Sequence, residues 1–111
     1  MKKKDKISKN REYKKIYNRG KSMVSPVIIT YILKNRFNSV RVGITTSKKI
    51  GNAVNRNRAR RVIREAFRLL REKVNIGYDI VFVARTRTCI VKTEAVMKDM
   101  KYHLEKLGAL K

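Results

Sequence analysis

Acidic residues are scarce in this chain, and histidine and cysteine are almost absent. Eight Asp and Glu, one His and one Cys occur among 111 residues. A single cysteine, Cys89, rules out an internal disulfide and fits a reducing compartment. It reads as structural, since the only histidine, His103, falls in a different predicted element and offers no thiolate-activating partner. His103 itself reads as a surface or boundary residue. The carboxylates Asp5, Glu12, Glu65, Glu72, Asp79, Glu94, Asp99 and Glu105 lie scattered, with no paired spacing for acid–base hydrolysis. No Cys/His cluster suggests zinc, and no glycine-rich loop precedes a Lys-Ser or Lys-Thr pair. Apolar runs stay far below the ~18 residues of a membrane span. The charged start Met1-Lys2-Lys3-Lys4 is followed by no apolar segment of the signal-peptide kind. A cytoplasmic protein is expected, without protein-borne catalytic or metal chemistry.

What the chain has instead is positive charge. Thirty Lys and Arg give a formal net charge of +22. Such an excess repels itself in a compact state, and solubility needs far less. A polyanionic partner that releases counterions on binding accounts for it best, with nucleic acid ahead of an anionic membrane surface.

Residues 1–8 read as a basic flexible arm, and 9–111 as one domain. A helix is predicted at about 10–18, capped by Ser8 or Asn10, with Tyr13, Ile16 and Tyr17 on one face and a stop at Gly20. From Lys21 the pattern is extended, with a break or edge at Pro26. Val27 to Leu33 and Val40 to Thr46 read as strands, joined by the polar turn 34–39, in which Phe37 is the one aromatic exception. Their proximity in sequence suggests a hairpin. From Asn55 to Arg71, Ala59, Val62, Ile63, Ala66, Phe67 and Leu70 fall on one helical arc, and Arg56, Arg60, Arg61, Arg64, Arg68 and Arg71 on the other. Tyr78 to Ala84 is a strand whose run Ile80-Val81-Phe82-Val83 suits burial on both faces. A final helix, about 93–107, carries Val96, Met97, Met100, Leu104 and Leu107 as its stripe, with Thr93 as cap and Gly108 as stop. Mixed elements in so short a chain point to α+β, with helices packed on a sheet.

Two features carry the functional reading. The first is Ser47-Lys48-Lys49-Ile50-Gly51-Asn52-Ala53-Val54-Asn55-Arg56-Asn57-Arg58-Ala59-Arg60-Arg61, a basic loop leading into a helix. Helix N-termini attract phosphate, and arginine adds bidentate contacts and stacking. Cations there cost the helix roughly 0.3–1 kcal/mol each, which favours an anionic ligand over a merely solvated face. Glu65 and Glu72 are too few to neutralise the arginines. The second is aromatic: Tyr13 and Tyr17 lie one turn apart, and Tyr31 sits in a strand. They could stack on single-stranded bases, or pack the first helix on the sheet with hydroxyls reaching water.

Val42-Gly43-Ile44, then Ser47 to Val54, then Arg56-Asn57-Arg58 and Arg60-Arg61-Val62-Ile63-Arg64-Glu65-Ala66-Phe67 together resemble the signature of the bacterial ribonuclease P protein family. A weaker likeness extends over nearly the whole chain, through Glu12-Tyr13, Tyr17, Gly20 and Asp79 to Arg85. The resemblance implies a single α+β domain, about four mixed strands packed with helices, similar to the second domain of ribosomal protein S5. It also implies a left-handed β-α-β crossover, a hand rare in proteins. Within that family a large RNA with bound Mg²⁺ does the chemistry, and the protein is an accessory subunit of an endoribonuclease. The resemblance implies contacts to that RNA from Arg56, Asn57, Arg58, Arg60, Arg61, Arg64 and Arg68, and from Lys48 and Lys49. It implies a cleft for the 5′ leader of precursor tRNA at Tyr13, Tyr17 and Tyr31, with Lys48 and Lys49 lining the same region. No protein partner is called for. Both first-helix aromatics are Tyr where the family usually has Phe, and Arg60 stands where Lys is common. The competing readings are a structural RNA-binding protein of ribosomal type, a duplex-DNA reader lacking a helix-turn-helix, and a membrane-active cationic protein.

Overall fold

The computed structural model describes residues 5–111. In chain order it contains α1 (Asn10–Arg19), β1 (Lys21–Val24), β2 (Ile28–Lys34), β3 (Val40–Thr45), α2 (Ala53–Leu70), β4 (Tyr78–Ala84) and α3 (Thr93–Lys106). The four strands form one mixed sheet in the order β1-β2-β4-β3. β1 and β2 are antiparallel, as are β2 and β4, whereas β3 runs parallel to β4.

The sheet separates two apolar layers because its strands alternate. Ile28, Ile32, Val40, Val42, Ile80 and Phe82 face α2 and α3, and the stripe Ala59, Val62, Ile63, Ala66, Phe67 and Leu70 of α2 closes on them. Val81 points the other way and packs with Ile7 and Ile16, flanked by Tyr13, Tyr31, Leu33 and Val83. The fold is therefore α+β, with two helices on one face of the sheet and α1 on the other. Ile80, Val81 and Phe82 are all fully buried, as expected of a central strand covered on both sides.

The predicted hairpin between the second and third strands does not form, because β4 lies between them. The apolar run of β4 can satisfy both layers and takes the inner place, leaving β3 at the edge. A parallel neighbour then needs a crossover, and α2 supplies it. The 34–39 turn straps across the start of β4 instead: Asn35 N–H donates to the Gly77 carbonyl at 2.8 Å, and Gly77 N–H donates to Ser39 at 3.0 Å. Gly77 manages both at φ +92°, a conformation that suits a residue without Cβ. The short hairpin is β1–β2, turning at Pro26, where the Ser25 hydroxyl accepts from Val27 and Ile28 N–H.

The basic-arm expectation needs correction at its inner end. Residues 1–4 lie outside the described residues, but Ile7 is 1% exposed and its N–H donates to the Val42 carbonyl at 3.0 Å. Lys6 forms a parallel bridge with Val42, and Asp5 pairs with Arg71 at 3.1 Å. The outer edge of β3 would otherwise show unpaired backbone groups, and a lone isoleucine among lysines is enough to anchor the segment that covers it. The helix caps also differ. Neither Ser8 nor Asn10 caps α1, which starts after Lys9 with the Lys9 N–H held by Glu12 Oε1 at 3.4 Å. Lys92, not Thr93, occupies the cap position of α3. α2 begins two residues earlier than expected, because Asn52 Oδ1 accepts from Asn55 N–H at 3.0 Å.

His103 is buried rather than at the surface, with 2% exposure. It lies 2.8 Å from the hydroxyl of Thr30, itself fully buried, and so joins α3 to β2. Burial holds its imidazole below the ordinary pKa, with Asp99 acting weakly in the opposite sense.

Candidate nucleic-acid interface

The apolar stripe of α2 is spent on the core, so its remaining side chains have nowhere to go but outward. Asn57, Arg58, Arg61, Arg64 and Arg68 are exposed, while Arg56 and Arg60 are partly covered. They are not equivalent. Arg58 Nε donates to the Cys89 carbonyl at 2.6 Å, tying α2 to the turn Thr86–Cys89. Arg60 donates to Asn57 Oδ1 at 3.0 Å, and Arg68 pairs with Glu65 at 2.6 Å in full solvent. Arg56, Arg61 and Arg64 make no ion pair among the described residues, so their guanidinium groups are available to an outside anion. Cys89 is buried, and its thiol donates to the Thr86 carbonyl at 3.1 Å, in keeping with a structural role.

On the opposite face of the sheet the three tyrosines meet. Tyr17 stands edge-on to Tyr31, with ring centroids 4.9 Å apart and planes at 69°. Tyr13 and Tyr17 lie 6.3 Å apart at 38°. Tyr13 and Tyr31 pack against the α1-side core, while Tyr17 keeps 38% of its surface exposed. The Tyr13 hydroxyl donates to the Ile7 carbonyl at 3.1 Å, and burial pushes its pKa up. Gly43 makes room for this ring, since any Cβ there would lie 2.5 Å from the Tyr13 oxygen.

Charge fixes α1 over the sheet. Arg41 of β3 bonds Asp79 of β4 at 2.9 Å through Nε, and also pairs with Glu12 of α1. The Arg41 bond holds the Glu12 carboxyl below its usual range against the opposing effect of burial. Asp79, 8% exposed, accepts a further bond from Asn35 at 2.7 Å. Arg41 engages both carboxylates, and no lysine pairs with either of them among the described residues.

The two surfaces join. A groove of about 330 Å³ runs over the outer edge of β3, lined by Lys6, Tyr13, Val42, Ile44, Arg60 and Arg64. Arg60 and Arg64 also wall a second groove, with Val54, Asn57 and Arg61, on the arginine face. Tyr13 and the arginines are therefore continuous, although they belong to elements on opposite faces of the sheet. Lys48 and Lys49 stand exposed on the turn Lys48–Ile50 between β3 and α2. Lys6 takes part in the wall of the groove at Tyr13. Sequence reasoning passed over Lys6 as one charge among several in an arm; the apolar Ile7 beside it was the available signal.

Comparison with known proteins agrees with this architecture. The family model for ribonuclease P matches residues 1–108. The ribonuclease P protein component of Alkaliphilus oremlandii is 43% identical over 106 residues, covering 96% of this chain and 92% of the relative. That of Clostridioides difficile is 43% identical over 102 residues, covering 91% and 86%. Among solved structures, the RNase P protein of Staphylococcus aureus superposes with a TM-score of 0.84 at 30% identity, covering 96% of this chain and 98% of that one. The Thermotoga maritima protein gives 0.78 at 27% identity, covering 87% and 92%. The match in sequence and fold along almost the entire length places this chain in the bacterial ribonuclease P protein family.

Proposed function

We propose that this protein is the accessory subunit of a ribonuclease P ribonucleoprotein, assisting RNA-catalysed removal of the 5′ leader from precursor tRNA. The observation that carries the reading is the continuity of two unlike surfaces through Arg60 and Arg64. An arginine helix suits a structured RNA, where phosphate contacts release counterions and position the complex. A groove edged by Tyr13, whose ring meets Tyr17 and through it Tyr31, suits a single strand, because exposed bases stack on aromatic faces. One protein that holds both brings the leader to the catalytic RNA.

In this reading Arg56, Asn57, Arg58, Arg60, Arg61, Arg64 and Arg68, with Lys48 and Lys49, face the catalytic RNA, and Tyr13, Tyr17 and Tyr31 face the leader. The protein contributes binding and charge. Its excess of cations offsets repulsion between two polyanions, and less Mg²⁺ is then needed to hold them together. In this proposal the Mg²⁺ of the reaction is held by the RNA. No described helix is long and apolar enough to cross a membrane, and the proposed site of action is the cytoplasm.

The test is cleavage of precursor tRNA by a bacterial ribonuclease P RNA at low Mg²⁺, with and without this protein. Stimulation with correct 5′ ends is the expected result. Absence of stimulation from a folded, RNA-binding protein would overturn the proposal in favour of a structural RNA-binding role. Cleavage by the protein alone would overturn the placement of the chemistry in RNA.

A further inference from the structure

The turn between β2 and β3 holds the aromatic exception in an otherwise polar segment, and the tyrosine groove does not use it. Phe37 is 55% exposed. An exposed ring on a solvent turn would ordinarily be mobile, but this one is held. Its N–H donates to Asn35 Oδ1 at 2.9 Å, while Asn35 is bound to Asp79 at 2.7 Å and to Gly77 through its own N–H. The guanidinium of Arg41 lies 4.7 Å from the ring centroid, and Arg41 is in turn gripped by Asp79 and Glu12. One face of the ring is thus covered by a fixed cation, and more than half of the residue's surface remains open.

Phe37 edges a groove of about 340 Å³ whose other walls include Lys15 of α1, Leu33 and Lys34 of β2, and Arg36. Its two carboxylates, Glu12 and Asp79, are the ones Arg41 already engages. Lys15, Lys34 and Arg36 make no ion pair among the described residues. Leu33 stands two residues beyond Tyr31 on the same face of β2, about 7 Å along the strand, and packs with the tyrosine cluster as well. Leu33 therefore links the tyrosine cluster to this second groove.

We infer that the groove at Phe37 is a second single-strand RNA subsite, which takes leader nucleotides lying farther from the cleavage point than those at Tyr17 and Tyr31. This rests on the leader-binding reading above. A pinned aromatic face beside three unpaired cations matches a base and its flanking phosphates. The net positive walls disfavour an acidic-residue-poor peptide or a neutral ligand and suit a phosphodiester chain.

The experiment measures binding of the assembled holoenzyme to precursor tRNAs whose leaders are lengthened stepwise. With the unaltered protein, affinity should rise again beyond the length that fills the tyrosine groove. Phe37→Ala should remove that second rise, weakening long-leader binding on the order of fivefold or more, and leave short-leader binding unchanged. Phe37→Tyr should restore it. Lys34→Gln supplies the arm independent of the turn's packing: long-leader affinity should fall and its salt dependence flatten, again with short leaders unaffected. Equal losses for short and long leaders, or no loss for any leader, would overturn the subsite. If the unaltered protein fails to stimulate cleavage or to bind leader at all, it is the underlying functional reading that fails.

Discussion

Tyr13 rests directly on the bare Cα of Gly43, so closely that one added carbon would sit 2.5 Å from its hydroxyl oxygen and 2.8 Å from the ring. The contact sets how low α1 lies over β3, and the same ring forms one wall of the groove to Arg60 and Arg64. Gly43→Ala should push the phenol away from the Ile7 carbonyl and tilt the groove open. The cost in stability should be about 1–3 kcal/mol, the usual range for overpacking. Thermal unfolding checks the first effect. Leader-dependent affinity, compared with a leaderless substrate, checks the second and should fall by more than overall RNA affinity does.

Arg41 joins α1, β3 and β4 through Glu12 and Asp79. Truncating it leaves Asp79 nearly buried with Asn35 as its remaining partner, and losing one member of a buried pair is expensive. Arg41→Ala should therefore cost about 3 kcal/mol, read as a shift in denaturant midpoint at constant slope. The pH dependence has a definite sign. Arg41 depresses the Glu12 pKa in the folded state, so the stabilisation is present above the unfolded carboxyl value. It is lost as pH falls from there through the folded one. Glu12→Gln should flatten the stability profile in that acidic window and leave neutral pH as the place where its destabilisation is largest.

His103 and Thr30 make a second buried polar link, 2.8 Å long and 73 positions apart in sequence. Because burial lowers the imidazole pKa, the unfolded chain takes up its proton first as pH falls. Stability from this site is therefore full above about 6.5, the unfolded value, and declines below it towards the folded pKa. His103→Leu should remove that decline and yet strand the Thr30 hydroxyl, at a cost of about 1–3 kcal/mol. The double variant His103→Leu with Thr30→Val should recover much of it. A double-mutant cycle by urea unfolding at pH 5.5 and 7.5 checks both statements.

These residues show which parts of the molecule sequence could reveal. The buried stripe of α2, Ala59 through Leu70, was readable residue for residue, because helical periodicity is a local property and seventeen or so positions repeat it. The central place of β4 was half readable: its apolar run announced two buried faces, but which strands flank it depends on pairing across tens of residues. β2 and β3 alternate as a hairpin would, and nothing local says that β4 comes between them. Ile7 carries no periodicity: a lone apolar residue among lysines hints that the segment is anchored, but nothing local says that it covers the edge of β3. The site divides the same way. The arginines, Tyr13 and Tyr17 were legible as residue types at helical spacing, and Tyr31 as an aromatic in a strand. Their union through Arg60, Arg64 and Lys6 was not, since it arises from a helix and a terminal segment meeting at one sheet edge.

The arginine face should prove divided when tested singly. Arg61 makes no ion pair or side-chain hydrogen bond among the described residues, whereas Arg58 holds the Cys89 carbonyl at 2.6 Å and thereby the turn after β4. Arg61→Ala should weaken association with the catalytic RNA and lower the slope of log affinity against log salt by roughly 0.7–0.9 if one phosphate contact is lost. Its melting temperature should stay unchanged, as for most exposed substitutions. Arg58→Ala should also weaken RNA binding, but with a loss of stability near 1 kcal/mol or somewhat more, because a partly buried carbonyl loses its charged donor. Salt titrations of RNA affinity beside thermal melts of the free proteins separate the two. A stable Arg58→Ala protein with an unaltered salt slope would mean that Arg58 serves neither the fold nor the RNA, and the assignment of this face would then fall to Arg56, Arg61 and Arg64 alone.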